Sequence, residues 1–235
     1  MTDVFITEND LAARIDQTNL KPQARQQDMQ AFLREVRQNN FATAAILPLW
    51  TPLAAGILAG SQVAVDPAVG FPFGTSSTGQ KVAETRWCIK NGGALVEIDM
   101  VMNLSWFKSG RFTEVEQDIR AVIAAAESRP VKVIIETPLL SQNEIAIASL
   151  LVAQAGAQYV KTSTGYHGLQ GWRPCSVEDV RLIRSATGEQ VKIKASGGIT
   201  SIEQALAVIH AGADRIGTAF GMDILQGYRR FLART

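Results

Sequence analysis

Short apolar segments alternate with longer amphipathic segments along most of the chain. The apolar segments predict eight strands, at residues 14–18, 43–47, 62–69, 95–102, 131–137, 159–162, 191–195 and 215–218. The amphipathic segments predict helices at residues 23–38, 79–91, 113–127, 141–155, 176–186 and 201–210. Ser141, Ser176 and Ser201 each stand at a predicted helix start, three residues before an acidic or amide side chain that completes a capping pattern.

The alternation of strands and helices predicts the fold. Strands that follow one another through a helix pair in parallel, because a parallel connection needs a covering crossover. Eight such units predict a closed (β/α)8 TIM barrel that takes in residues 1–235 as a single domain. An open doubly wound sheet is the alternative, but no Gly-x-Gly-x-x-Gly follows the first strand, which weakens a dinucleotide-binding version.

Residues 41–65 contain no charged side chain and are long enough to suggest a membrane span. Pro48, Pro52, Gly56 and Gly60 interrupt this stretch, so we predict a buried strand followed by a helix. The first 20 residues have neither the basic nor the apolar region of a signal peptide. We therefore expect neither a membrane anchor nor a secreted protein.

Composition and charge narrow the function classes. The 235 residues are 46% hydrophobic, which is ample for a core, and the net charge of +1 argues against a nucleic-acid-binding surface. Cys88 and Cys175 lie far apart and match no metal-binding or disulfide spacing. We predict two reduced thiols in a cytoplasmic protein.

Several predicted strands carry charges, although strands in parallel sheets are usually apolar throughout. These charges are Asp16, Glu97, Asp99, Glu136, Lys161, Lys192 and Lys194. Glu97 and Asp99 are two residues apart, so strand alternation places them on one face. We predict that all seven point into the barrel lumen, where three positive charges nearly balance four negative ones. A purely structural ion network is the alternative, but several of these charges lie at the carboxyl ends of strands, where barrel active sites lie.

Lys161 and Lys194 fall on adjacent predicted strands, which are spaced by about 4.8 Å. A free lysine has a pKa near ~10.4, and burial together with a neighbouring ammonium lowers that value. One of the two lysines can then attack a carbonyl as a neutral amine and form an iminium ion that accepts electrons. Asp99 is placed to move protons in such a reaction. The residues alone therefore predict Schiff-base carbonyl chemistry.

Seven segments, taken in order, resemble one known family over residues 15 to about 225. They are Ile-Asp-Gln-Thr-Asn-Leu-Lys-Pro (15–22), Val-Gly-Phe-Pro-Phe-Gly (69–74), Glu-Ile-Asp-Met-Val (97–101), Val-Ile-Ile-Glu-Thr (133–137), Val-Lys-Thr-Ser-Thr-Gly (160–165), Lys-Ala-Ser-Gly-Gly-Ile (194–199) and Arg-Ile-Gly-Thr (215–218). Their order and spacing resemble the deoxyribose-phosphate aldolase family, whose members are class I, Schiff-base-forming aldolases.

The resemblance implies a role for each lumen residue. Lys161 would form the Schiff base, Lys194 would lower its pKa, Asp99 would shuttle protons, and Asp16 would assist near Lys194. The implied reaction is the reversible cleavage of 2-deoxy-D-ribose 5-phosphate to acetaldehyde and D-glyceraldehyde 3-phosphate, in deoxyribonucleotide catabolism. The resemblance also implies a cytoplasmic homodimer or higher homo-oligomer that needs neither a metal nor an organic cofactor.

The substrate-binding residues follow the family less closely. Residues 44–48 read Ala-Ala-Ile-Leu-Pro where the family usually has Val-Cys-Val-Asn-Pro, and Gln17 stands where a histidine is usual. Residues 217–221 read Gly-Thr-Ala-Phe-Gly in place of a serine-containing phosphate loop, and the loop 165–174 is about four residues longer. We expect substrate and phosphate to be bound by Thr162, Gly165, Gly197, Gly198, Thr218, Gly221 and Arg173.

Three alternatives remain open at this point. The same iminium chemistry would act on a different substrate, either unphosphorylated or larger, and His167 in the longer loop would contact it. A non-covalent phosphate-binding barrel lyase or isomerase would share the glycine loops but would not need two adjacent lysines. A non-catalytic regulator on a barrel scaffold would not need the lysine pair at all.

Overall fold

Residues 6–168 and 170–233, which the computed structural model describes, contain parallel strands that close into one barrel in chain order. The strands are β1 (Ile15–Asn19), β2 (Thr43–Ile46), β3 (Ala64–Val69), β4 (Ile98–Val101), β5 (Val131–Ile134), β6 (Tyr159–Lys161), β7 (Lys192–Ser196) and β8 (Arg215–Thr218). Strand β1 pairs with β8 and completes the ring. The predicted TIM barrel and its eight strands are confirmed, and the open sheet is excluded.

Helices cover the outside of the ring. They are α1 (Glu8–Ala12), α2 (Gln26–Gln38), α3 (Thr51–Leu58), α4 (Thr78–Asn91), α5 (Leu104–Lys108), α6 (Phe112–Ala125), α7 (Gln142–Ala155), α8 (Val177–Thr187), α9 (Ile202–His210) and α10 (Gly221–Leu232). Ser141, Ser176 and Ser201 cap α7, α8 and α9 as predicted, each accepting a hydrogen bond from the third residue of its helix. The sequence analysis did not predict α1, α5 or α10.

Residues 41–65 form β2, a 3-10 turn at Pro48–Trp50, helix α3 and the start of β3. The predicted strand followed by a helix is therefore correct. No helix among the described residues is long and apolar enough to cross a membrane. Cys88 and Cys175 are both free thiols, as predicted.

Buried side chains form two layers, of which the outer one is apolar. Between the strands and the helices lie Leu33, Ile119, Val152 and Ile183, each fully buried on a covering helix. Inside the ring, the lumen is instead filled largely by charged side chains. The apolar outer layer thus holds the barrel closed around a polar interior.

Candidate active site

Lys161, Lys194 and Asp99 meet inside the lumen. Lys161 is the last residue of β6 and pairs in register with Lys194 of β7, while Asp99 lies on β4. The Nζ atom of Lys161 is 2.5 Å from Asp99 Oδ2, and the Nζ atom of Lys194 is 2.9 Å from the same oxygen. All three residues are buried. One carboxylate oxygen therefore joins the two lysines.

Further carboxylates surround Lys194. Its Nζ atom lies 2.7 Å from Asp16 Oδ2 and 3.0 Å from Asp66 Oδ2. The structure thus brings Asp16 beside Lys194, where the sequence analysis expected it. Lys194 contacts carboxylates on β1, β3 and β4, whereas Lys161 forms an ion pair with Asp99 at the carboxyl end of β6.

The pKa values of the two lysines shift in opposite directions. Burial lowers the pKa of Lys161 most strongly; Asp99 opposes this shift, and the ammonium of Lys194 adds to it. Burial also favours the neutral form of Lys194, but Asp16, Asp66 and Asp99 together raise its pKa above the usual range. Lys161 is therefore the lysine that loses its proton more readily, and Lys194 is the one that remains an ammonium.

Asp99 stays ionised between these lysines. Its complete burial would raise its pKa, but Lys161, Lys194 and Lys132 hold the pKa well below the usual range for aspartate. A carboxylate in this position can accept a proton from Lys161 and return it to a reacting group. The arrangement therefore combines a nucleophilic amine, a fixed ammonium and a proton-carrying carboxylate.

The sequence analysis missed three charged residues of the lumen, namely Lys132, Asp66 and Arg215. The Nζ atom of Lys132 lies 2.7 Å from both Asp66 Oδ2 and Glu97 Oε2, and Arg215 Nη1 lies 2.6 Å from Asp16 Oδ1. Each was detectable by the same signal, because each is a charge within or at the start of a predicted strand. Lys132 stands between Val131 and Val133, for example.

Two of the seven predicted lumen charges do not join this network. Lys192 is exposed, because it is the first residue of β7 and its ammonium extends over the Tyr159 ring at the amino end of the barrel. Strand alternation gave its face correctly but not its depth. Glu136 is buried but follows the end of β5 with a left-handed φ of 58°, which turns it away from the strand direction. The prediction that both side chains would balance charge in the lumen was wrong.

Glu136 instead holds the loop that follows Lys161. Its carboxylate accepts hydrogen bonds from the Ser163 and Thr164 hydroxyls, both at 2.5 Å. The Thr164 hydroxyl in turn accepts from the backbone N–H of Tyr166 at 3.1 Å. The Tyr166 ring meets Phe73 edge-on, with centroids 5.6 Å apart. Two loops from separate sides of the barrel mouth, after β3 and after β6, are thus in contact.

Several residues expected to bind substrate or phosphate use their polar groups within the protein. The Thr162 hydroxyl bridges to the backbone of Ser196, and the Thr218 hydroxyl donates to the carbonyl of Ile199. The backbone N–H of Gly221 donates to Gln17 Oε1 at 3.0 Å. Thr162, Thr218 and Gly221 thus use these groups within the protein, and their predicted role in binding substrate or phosphate stays a prediction.

Arg173 is also engaged. Its Nη1 and Nη2 atoms lie 2.6 and 2.7 Å from the two carboxylate oxygens of Asp179, in the first turn of α8. Asp179 is buried, so the two groups form a fixed, bidentate pair. Arg173 is therefore already paired with a carboxylate, and its predicted contact with phosphate stays a prediction. The sequence pattern identified Asp179 only as part of the capping pattern of α8 and did not indicate that it pairs with Arg173.

Gly165, Gly197 and Gly198 keep the backbone conformation that a glycine loop needs. Their φ angles are 70°, 99° and 75°, and a Cβ atom on Gly198 would lie 2.8 Å from Pro174. Close packing and left-handed backbone together explain these three glycines. His167 is exposed and stacks on Trp172, with ring centroids 4.1 Å apart.

Comparisons with known proteins agree with this geometry. A model of the DeoC/LacD family aldolases matches residues 14–227. A protein of Methanothermobacter thermautotrophicus described as deoxyribose-phosphate aldolase is 44% identical, over 95% of this chain and 97% of its own length. Deoxyribose-phosphate aldolase 1 of Staphylococcus aureus is 45% identical, over 91% of this chain and 94% of its own length.

Solved structures give the same result. The aldolase QR15 is 35% identical and superimposes with a TM-score of 0.89, over 96% of this chain and 99% of its own. The tetrameric deoxyribose phosphate aldolase of Aeropyrum pernix is 30% identical with a TM-score of 0.86, over 96% of this chain and 93% of its own. The matches extend over almost the whole chain and include the strands that carry Lys161, Lys194 and Asp99. The chain belongs to the DeoC/LacD family of aldolases.

Proposed function

We propose that this protein is a deoxyribose-phosphate aldolase that forms its Schiff base on Lys161. The observation that carries the proposal is the shared carboxylate: Asp99 Oδ2 lies 2.5 Å from Lys161 Nζ and 2.9 Å from Lys194 Nζ. The names of relatives that are 44% and 45% identical support the same substrate. The reaction is the reversible cleavage of 2-deoxy-D-ribose 5-phosphate to acetaldehyde and D-glyceraldehyde 3-phosphate.

The proposed roles follow from charge and position. Lys161, as a neutral amine, attacks the aldehyde carbon of the open-chain sugar, and loss of water gives an iminium ion. Asp99 accepts the proton of the C3 hydroxyl, directly or through water, as the C2–C3 bond breaks and the iminium takes up the electron pair. Lys194 remains an ammonium and favours the neutral form of Lys161, while Asp16 holds Lys194 in place.

Reduction with borohydride tests the covalent step. With acetaldehyde present, we expect mass spectrometry to find one added ethyl group, located on the peptide that contains Lys161. An adduct on Lys194 instead would reverse the two proposed roles. A protein that cleaves deoxyribose 5-phosphate and yields no adduct would be a non-covalent lyase.

A second candidate substrate is an unphosphorylated or larger sugar. This candidate is favoured by Arg173, whose guanidinium is held by Asp179, and by Phe220, which is 45% exposed in the loop after β8. The test compares kcat/KM for deoxyribose 5-phosphate with kcat/KM for deoxyribose. A clear preference for the phosphorylated sugar would reject the second candidate and leave Gly197 and Gly198 as the backbone groups proposed to hold the phosphate.

We further propose that the protein is a cytoplasmic homodimer or higher homo-oligomer. The relative from Aeropyrum pernix, which is tetrameric, supports association of subunits on this fold. The two free thiols, Cys88 and Cys175, fit a reducing compartment. Light scattering after gel filtration measures the subunit number, and a monomer at micromolar concentration would contradict the first part.

A further inference from the structure

Asp66 is a buried carboxyl group to which the steps above give no role. It lies on β3 and is 0% exposed. Its donors converge on one oxygen: Oδ2 lies 2.7 Å from Lys132 Nζ, 3.0 Å from Lys194 Nζ and 3.3 Å from the Thr43 hydroxyl. Within the described residues, Oδ1, which is also buried, accepts no hydrogen bond. Burying a carboxylate oxygen that accepts no hydrogen bond destabilises the ionised form, which favours the protonated form of Asp66.

The charge balance of the lumen links protonation of Asp66 to deprotonation of Lys161. Among the described residues, the lumen holds the basic side chains Lys132, Lys161, Lys194 and Arg215, and the acidic side chains Asp16, Asp66, Glu97 and Asp99. These charges sum to zero when every group is ionised. If Lys161 alone loses its proton, one negative charge is left without compensation, which is costly in a buried site. If Asp66 gains a proton at the same time, the sum remains zero.

An unbroken path of hydrogen bonds joins the two groups. It runs from Lys161 to Asp99 over 2.5 Å, from Asp99 to Lys194 over 2.9 Å, and from Lys194 to Asp66 over 3.0 Å. Because Lys194 donates in both of its bonds, the transfer takes three steps: Lys161 gives a proton to Asp99, Lys194 gives a proton to Asp66, and the Lys194 amine then turns and takes the proton from Asp99. The net result is one proton moved from Lys161 to Asp66, with Lys194 again an ammonium and Asp99 again a carboxylate.

The surroundings of Asp66 favour this direction of transfer. The charged groups that face it are Asp16 on β1, Asp99 on β4, Lys132 on β5 and Lys194 on β7. Burial and the nearby Asp99 raise the pKa of Asp66, and the two lysines oppose that rise without cancelling it. Asp66 is therefore more ready to hold a proton than Asp16 or Asp99, whose pKa values are lowered.

We propose that Asp66 is a positioning residue that stores the proton of the reactive lysine. The ammonium of Lys161 and the carboxylate of Asp66 become a free amine and a neutral carboxyl. The amine then forms the N–C bond as the substrate carbonyl becomes a hydroxyl. That hydroxyl leaves as water with the stored proton, which returns by way of Lys194 and Asp99. The iminium carries the positive charge again, and Asp66 is again a carboxylate.

This inference rests on the Schiff-base step of the proposed function, and Asp66→Asn tests it. An asparagine of the same shape cannot store a proton, so loss of water from the carbinolamine must draw the proton from solvent. We expect the ratio of wild-type to variant rates of imine trapping to rise by about tenfold between about pH 6 and pH 9. A merely structural defect would slow the variant by the same factor at every pH.

Asp118→Asn is the matched control. Asp118 is another buried aspartate paired with a lysine, but its partner is Lys81 of α4 and it lies outside the lumen, so it takes no part in the charge balance or in the path from Lys161 to Asp66. We expect its trapping rate to keep a constant ratio to wild type across the same pH range. A constant ratio for Asp66→Asn as well would overturn the proton store. Absence of trapping in the wild type would instead reject the proposed function.

A measurement on the wild-type protein covers the case in which Asp66→Asn does not fold. Infrared spectra with isotope-labelled aspartate detect a neutral carboxyl directly. We expect its band to persist at neutral pH, far above the usual aspartate pKa of about 3.9, and to weaken when acetaldehyde forms the iminium. A spectrum with only ionised aspartate at neutral pH would overturn the proposal.

Discussion

Lys161 and Lys81 are both buried lysines, but they lie on opposite sides of the barrel wall. The Nζ atom of Lys81, on α4, lies 2.6 Å from Asp118 Oδ2 and 3.0 Å from the carbonyl oxygen of Val101. Burial lowers the pKa of Lys81 as it does that of Lys161. The difference lies in the counterion: Asp118 pairs with one lysine, whereas Asp99 pairs with three. Burial alone therefore does not make a lysine nucleophilic.

Access separates the two sites as well. Lys81 is 0% exposed, and a Cβ atom on Gly70 would lie 3.2 Å from its Cε atom, so the chain packs directly against it. Lys161 ends its strand at the mouth of the barrel, where loops rather than helices follow. A reactive lysine in this fold needs a shared counterion and a position at the carboxyl end of a strand.

Replacing the lysines themselves gives the largest expected effect. Lys161→Met should lower kcat for deoxyribose 5-phosphate cleavage by about 10³-fold or more and abolish the trapped adduct, because no other amine in the lumen is readily deprotonated. Coupled enzyme assays and mass spectrometry measure both. An adduct retained in Lys161→Met would show that a different lysine is the nucleophile.

Lys81→Met should act on stability rather than on chemistry. It leaves the buried Asp118 without its cation, which costs about 3–5 kcal/mol of unfolding free energy. Urea unfolding measures the loss, and the folded fraction should still be trapped on Lys161. The double variant Lys81→Met/Asp118→Leu removes the orphaned charge and should recover part of the stability. No recovery would mean that packing, not charge, is the reason for the loss.

Lys194→Met tests the shared counterion. Without the ammonium of Lys194, Lys161 loses a neighbouring positive charge and a competitor for Asp99, so the pKa of Lys161 rises. Because only the neutral amine reacts, the pH at which the rate reaches half of its maximum on the acid side should rise by about one unit. The rate below that pH should fall about tenfold. Lys192→Met, at the exposed amino end of β7, should leave this midpoint unchanged.

Arg173→Met should have the smallest effect. Its guanidinium is 41% exposed, and Asp179 keeps the hydrogen bond from the Ser176 backbone N–H when the cation is lost, so we expect a loss of at most about 1 kcal/mol in stability. KM for deoxyribose 5-phosphate should change by less than about twofold, since a cation held by a carboxylate contributes little to phosphate binding. A tenfold rise in KM, with an unchanged KM for deoxyribose, would show that Arg173 binds the phosphate.

Local sequence patterns were sufficient to predict the barrel, because a short apolar segment marks each strand and an amphipathic segment with a serine cap marks α7, α8 and α9. The lysine pair followed from the same patterns, since charges in apolar strands are conspicuous and alternation fixes their face. Asp66 obeys the same rule, since it is a charge within the predicted strand 62–69, and the sequence analysis missed it. Lys192 was misplaced because alternation gives the direction of a side chain but not its height in the barrel.

The surroundings of the predicted substrate-binding residues could not be predicted for a different reason. Thr218, Gly221 and Arg173 have donors that suit an anion, but each donor is used by a partner that is distant in the sequence or belongs to a helix cap. Gly221 and Gln17, which share a hydrogen bond, are 204 positions apart. That pairing depends on the closure of the whole barrel, and no short window of sequence contains it.

The charged lumen has a consequence for behaviour on heating. The cost of removing an ion from water decreases as temperature rises, because the hydration of charged groups has a strongly negative entropy. The hydrophobic stabilisation per unit of buried apolar area levels off over the same temperature range. The desolvation cost of the buried lumen charges therefore opposes folding most at low temperature and least at high temperature. Replacing Lys132 and its carboxylate partners with apolar residues would reduce this temperature dependence.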